Sequence, residues 1–155
     1  MKSYFKVKVK YTKMLENGTY KRVSEDYLIE AESFTDAEAT IYDRLGAIIR
    51  GEFKITAMSI EEYFDLFIDN SDSDFFYNVK VKEAGESESG KESKVDRRYL
   101  VREESPEKAI AVVKEVYRNT TLGFEVTAST KATIIEVFLR EEPQEMAVTE
   151  ETQEN

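Results

Sequence analysis

The residues best suited to chemistry in this chain are lysines interleaved with aromatic rings. Tyr4 to Lys10 reads Y-F-K-V-K-V-K, and Phe76 to Lys82 reads F-Y-N-V-K-V-K. In an extended chain neighbouring side chains point to opposite faces. Lys6, Lys8 and Lys10 therefore share a face with Tyr4, and Lys80 and Lys82 share one with Phe76 and Asn78. Single-stranded nucleic acid needs this combination, because cations follow the phosphates while rings stack on bases without reading sequence. Tyr11, Tyr20 and Lys10 extend the candidate surface. A plainer role competes with this one. Lysines on the outer face of an edge strand prevent aggregation, and a terminal ring can simply cover a core.

Other chemistry is scarce. The 155 residues contain no histidine and no cysteine. That removes the commonest general base, the usual metal ligands, disulfides and thiol nucleophiles. No phosphate-cradling glycine loop and no G-x-S-x-G elbow occur. Glu61, Glu62 and Asp65 are close in sequence, and Asp65 and Glu136 occupy matching positions, as do Glu32 and Glu104. Such a pair near a twofold axis would suit acid–base or metal chemistry; solvent-facing positions on matching strands are the plainer reading. Asp69, Ser71 and Ser73 alternate as in a calcium loop, but the central glycine and the glutamate at position twelve are missing. The segment reads as an exposed linker. The expectation is a protein that is not an enzyme, with no metal and no cofactor.

The elements that position these residues are written twice. At an offset of 72 residues, Gly18 matches Gly90, Val23 matches Val95, Tyr27-Leu28 matches Tyr99-Leu100, Ser33 matches Ser105, Ala37 matches Ala109 and Gly51 matches Gly123. After one deletion Phe53 aligns with Phe124 and Phe67 with Phe138. Phe5, Val7, Val9 and Tyr11 alternate with polar residues, predicting a strand with one buried face. Asn17-Gly18 predicts a hairpin to a second strand from about Thr19 to Ala31. Ser33 with Asp36 predicts a capped helix start, and Ser105-Pro106 the same. Ala37, Ile41, Leu45 and Ile48 fall on one helical face; Ala109, Val113 and Val116 or Tyr117 do so in the second copy. Gly51 and Gly123 read as helix stops. Phe53–Ile68 and Phe124–Leu139 read as long strands, bulged near Ser59 and Thr130, with a helical alternative for Ile60–Phe67. Glu83–Lys94 reads as a flexible hairpin tip.

The expected fold is thus α+β, a tandem duplication of a β-β-α-β unit. The two repeats (1–68 and 75–140) are joined by an acidic linker (69–74) and share one core with pseudo-twofold symmetry, since three strands and a helix bury too little alone. Residues 141–155, with six glutamates and no cation, read as a disordered acidic tail. Net charge is −10, yet Lys2, Lys6, Lys8, Lys10 and Lys13 open the chain with no acid among the first thirteen residues. The acidic average argues against a broad duplex-binding face but leaves room for a local basic strip. No apolar run approaches a membrane span, and the opening residues read as charged strand rather than a signal peptide. A cytoplasmic protein is expected.

An anionic tail beside a basic groove can compete for that groove or dock a partner protein, an arrangement that resembles bacterial and phage single-strand binding proteins. Those tails usually end in an aromatic residue; this one ends Thr152 to Asn155. Tyr4–Tyr11, M-L-E-N-G (Met14 to Gly18), Y-L-I-E-A-E-S-F-T-D-A-E-A (Tyr27 to Ala39) and G-E-F-K-I (Gly51 to Ile55) resemble an uncharacterised family of gut Bacteroides and their crAss-like phages. With the second copy, the likeness spans about residues 3–139. The family is a domain of unknown function, so the resemblance implies a bacterial or phage setting and no catalytic residues. The leading expectation is non-enzymatic binding of single-stranded DNA. The alternative is a protein-interaction module docking a host or replication protein by strand addition or through the tail. Exposed sheet edges also suit homodimerisation.

Overall fold

Period-two alternation gives long strands, and these pair into two sheets. The computed structural model describes residues 3–86, 90 and 92–140. The elements are β1 (Ser3–Met14), β2 (Tyr20–Ala31), α1 (Phe34–Gly46), β3 (Phe53–Glu61), β4 (Asp65–Phe67), β5 (Phe76–Glu86), β6 (Glu92–Arg102), α2 (Pro106–Val116), β7 (Phe124–Lys131) and β8 (Ile134–Phe138). One sheet has the order β3-β1-β2-β8 and the other β4-β6-β5-β7. The fold is mixed α+β.

The hairpin and helix starts follow local chemistry. Between β1 and β2, Gly18 takes φ +86°, and Asn17 Oδ1 accepts from the Thr19 amide at 3.0 Å. A three-residue turn of this kind needs a left-handed residue at its end. Ser33 Oγ accepts from the Asp36 amide at 3.0 Å, and Asp36 Oδ2 accepts from the Glu32 amide at 3.0 Å. Ser105 Oγ likewise accepts from the Lys108 amide at 3.1 Å, with Pro106 opening α2. Both helices are short enough to be marginal alone. Burial of Ala37, Ile41 and Leu45 under α1 contributes roughly 3–6 kcal/mol and decides the matter. Ala109 and Val113 do the same for α2, with Tyr117 just past its end.

Several boundaries differ from the sequence expectation. The helices end at Gly46 and Val116, so Gly51 and Gly123 lie in the following loops, and Ile48 is exposed. The bulges fall at Thr56, where the β1–β3 register shifts between Lys8 and Val9, and at Thr127, where β5–β7 shifts between Lys80 and Val81. The Thr56 and Thr127 hydroxyls donate to the Lys8 and Lys80 carbonyls. The long closing segments are each broken in two, giving β-β-α-β-β rather than β-β-α-β. Ile60–Phe67 is not helical: three residues separate β3 from β4, and two separate β7 from β8.

The short strands then cross over. β4 lies parallel to β6, Asp65–Phe67 against Tyr99–Val101, and β8 lies parallel to β2. Each sheet is completed by a strand from the other half of the chain. Charged clasps fix both crossovers. Thr133 donates to buried Asp26 at 2.5 Å. Arg98 donates to Glu61 at 2.9 Å and to the Glu62 carbonyl at 3.1 Å, with its guanidinium 4.1 Å from the Tyr63 ring centroid.

Three apolar clusters result. Phe5, Val7, Val9, Tyr27 and Ile29 pack under α1, and Tyr77, Val79, Val81, Tyr99 and Val101 pack under α2. Leu28, Phe76, Leu100, Ile134 and Val137 form the third, joined by Tyr4, Tyr63 and Leu66. This cluster draws on both sheets and uses the faces turned away from the helices. The 69–74 segment is held rather than free. Ser73 is buried, Arg102 Nε donates to its carbonyl at 2.6 Å, and Asn70 donates to the Arg102 carbonyl at 2.8 Å. Strand pairing extends to Glu86 and from Glu92, which shortens the expected hairpin tip; the rest of that tip and the 141–155 tail lie outside the described residues.

Candidate nucleic-acid interface

The register of β1 with its neighbours assembles a basic face. Lys6, Lys8 and Lys10 point away from α1, as the alternation requires. Opposite Lys10 stands Lys54 on β3, and opposite Thr12 stands Arg22 on β2. Five cations thus share one sheet face. Lys6 is half-buried; Lys8, Lys10, Arg22 and Lys54 are exposed. Tyr20, opposite Met14 on the same face, is 71% exposed.

One of the five has a structural task. Lys8 Nζ lies 3.2 Å from Asp26 Oδ1, whose side chain is 5% exposed. That ammonium offsets a charge that would otherwise be costly to bury. Lys6, Lys10, Arg22 and Lys54 make no ion pair with any described residue.

The remaining sequence candidates divide among other surroundings. Tyr4 is half-buried in the cluster between the sheets, edge-on to Tyr63 at 6.3 Å; burial first, then Glu30 and Asp65, raise its pKa. Phe76 is 1% exposed in the same cluster, so its ring is closed to a base. Tyr11 belongs to the opposite face with Val7 and Val9, and its hydroxyl donates to Glu25 at 2.9 Å. Burial and that hydrogen bond push its pKa up to about 12. Lys80 and Lys82 are exposed on the second sheet, where Lys82 pairs with Asp96 at 3.0 Å.

The acidic positions do not converge. Asp65 caps the Leu66 amide at 2.8 Å in one sheet, and Glu136 accepts from the Val137 amide at 3.2 Å in the other. Glu32 lies 3.9 Å from Arg140, and Glu104 pairs with Lys108 at 3.3 Å. Among the described residues no group of three or more acidic, histidine or cysteine side chains is placed to hold a metal ion.

Sequence reasoning missed Arg22 and Lys54. Each sits on a strand next to β1, and the pairing register brings it to the face. Arg22 carried a usable signal, since counting back from the Asn17-Gly18 turn places it opposite Thr12.

Two helix-backed, four-stranded mixed sheets, each closed by a strand of the other half, define the protein as α+β. No helix among the described residues is long and apolar enough to cross a membrane. The chain belongs to the DUF4494 family, a domain of unknown function, whose profile matches residues 3–141. No curated protein and no solved structure matches it.

Proposed function

We propose that this chain is a non-enzymatic protein that binds single-stranded DNA on the face formed by β1, β2 and β3. The observation that carries this reading is charge left uncompensated against the trend of the whole molecule. Lys6, Lys10, Arg22 and Lys54 share one face without an ionic partner among the described residues, in a chain of net charge −10. A sheet face with spaced cations and an exposed ring at one end suits a flexible strand, whose phosphates and bases adapt to it.

Anisotropy of a labelled oligonucleotide, titrated across a range of salt, tests this. Four phosphate contacts predict a slope of log K against log salt of about −3 for a single strand. Lys10→Gln and Lys54→Gln should each flatten it by roughly 0.7. Lys8 is a poor probe because it also holds Asp26. Absence of binding at low salt refutes the reading.

A second reading, docking of a protein by strand addition, is favoured by the outer edge of β2. Its parallel partner β8 covers only Asp26 to Ile29, leaving residues 20–25 without a strand neighbour on that side among the described residues. The same reading takes the two halves as products of a duplication related by a pseudo-twofold. Its support is the 72-residue offset, the shared strand order and the bulges at Thr56 and Thr127. A cytoplasmic bacterial or phage setting, and a tail that competes for the basic face or meets a partner, complete it. The resemblance of Tyr27–Ala39 supports the setting, and the six glutamates after Arg140 support the tail.

A further inference from the structure

Past the edge of its sheet the first hairpin continues alone. β3 pairs with β1 only as far as Tyr11, and β8 pairs with β2 only over Asp26 to Ile29. Among the described residues, 12–22 therefore form a two-stranded ribbon with no strand neighbour on either edge, and none of them enters an apolar cluster. The register divides the charges of this hairpin between two faces. Lys10 and Arg22 lie on the side turned away from α1, with Met14 opposite Tyr20 beyond them; Lys13 stands directly opposite Lys21 on the other side. All four cations are exposed, and none makes an ion pair with any described residue.

The hairpin itself does not require these residues. Like charges directly opposite each other destabilise a strand pair, and Met14, 62% exposed, contributes little to a core. At the 72-residue offset, Gly85 stands opposite Ser93 in place of Lys13 and Lys21, and Glu86 opposite Glu92 in place of Met14 and Tyr20. Segment 84–94 holds three glutamates and two lysines, whereas 12–22 holds three cations and one carboxylate, Glu16 in the turn. Cations on two opposite faces can hold two phosphate chains at once. Exposed Met14, Leu15 and Tyr20 at the tip suit a flat apolar partner, which bases offer where their stack is interrupted. A two-stranded ribbon is thin enough to enter a DNA groove about 12 Å wide, so it also fits between two strands as they part.

We infer that the β1–β2 ribbon binds a nucleic-acid fork, the point at which a duplex opens into two single strands. One strand follows Lys10 and Arg22 onto the basic face, the other follows Lys13 and Lys21, and the tip residues stack on the last base pair. For the first strand this rests on the single-strand reading above; for the second it rests on the ribbon alone.

Anisotropy titrations of the full chain with a labelled fork, a single strand matching one arm, and a blunt duplex test it. The fork should bind at least tenfold more tightly than either. Its slope of log K against log salt should be steeper than that of the single strand by about 1.4, for two further phosphate contacts. The double variant Lys13→Gln/Lys21→Gln should remove most of that preference and leave single-strand affinity and the melting curve unchanged. Met14→Ser should weaken fork binding about threefold or more without altering the salt slope. Fork and single strand bound equally tightly, or a preference that survives the double variant, overturns the fork and leaves the basic face standing. A duplex bound as tightly as the fork also overturns it and assigns the ribbon to a groove. Fork binding that falls in the double variant while the single strand fails to bind supports the ribbon and removes the basic face.

Discussion

Replacing Thr133 by valine removes one oxygen and tests how β8 is held to its sheet. The hydroxyl donates to Asp26 at 2.5 Å, and Asp26 is 4% exposed, so little water is at hand to replace the lost donor. A hydrogen bond to a charged group contributes about 1.5–3 kcal/mol. Thr133→Val should therefore cost about 2 kcal/mol in urea unfolding, or about 6 °C in melting temperature for a domain of this size. Asp26→Asn keeps an acceptor for Thr133 but loses the attraction to Lys8, 3.2 Å away. In the Asp26→Asn background the valine substitution should cost about 1 kcal/mol less, because the acceptor is no longer charged. Hydrogen exchange at Ile134–Phe138 should rise in Thr133→Val before exchange in β1 does. A cost below about 0.5 kcal/mol, or one identical in both backgrounds, would refute the clasp as a determinant of stability.

The helix starts and the tyrosines give two further predictions. Ser105→Ala removes the acceptor for the Lys108 amide and should cost about 1 kcal/mol, measured by thermal unfolding; no change would mean that Pro106 alone suffices. Burial first of all holds the pKa of both Tyr11 and Tyr63 up at about 12. A group whose folded pKa is raised gives stability that is complete below its unfolded value of about 10 and is lost as pH climbs from there toward 12. Denaturant midpoints should be flat just below pH 10 and fall above it, and the fall should be shallower in Tyr63→Phe. An equal fall in both proteins would remove Tyr63 from the account.

Much of the local structure was legible, because turn and cap chemistry is contained in a few residues. Gly18, Ser33, Ser105 and Pro106 do what their types require. The split of the closing segments was not legible. Phe53–Ile68 is rich in strand formers throughout, and no glycine or proline marks the turn at Glu62–Phe64. That turn is held by Arg98, 34 residues beyond it along the chain and opposite it in space. The same limit governs the candidate site. Alternation placed Lys6, Lys8 and Lys10 away from the helix, and the same parity assigns Tyr11 to the opposite face with Val7 and Val9. Tyr4 and Phe76 share the lysines' parity yet are covered, because the second face of each sheet is partly enclosed by the other half. A single strand's pattern carries no information about what will sit on its far side.

The exchange of closing strands has a consequence for synthesis. β2 leaves the ribosome early, but the strand that lies beside it is among the last described segments to emerge. Until then the nascent chain carries an unfilled slot flanked by a buried carboxylate, open to any extended peptide nearby. Completion of the first sheet is thereby tied to arrival of β8, so a truncated chain lacking residues 134–138 would betray itself by an unclosed edge.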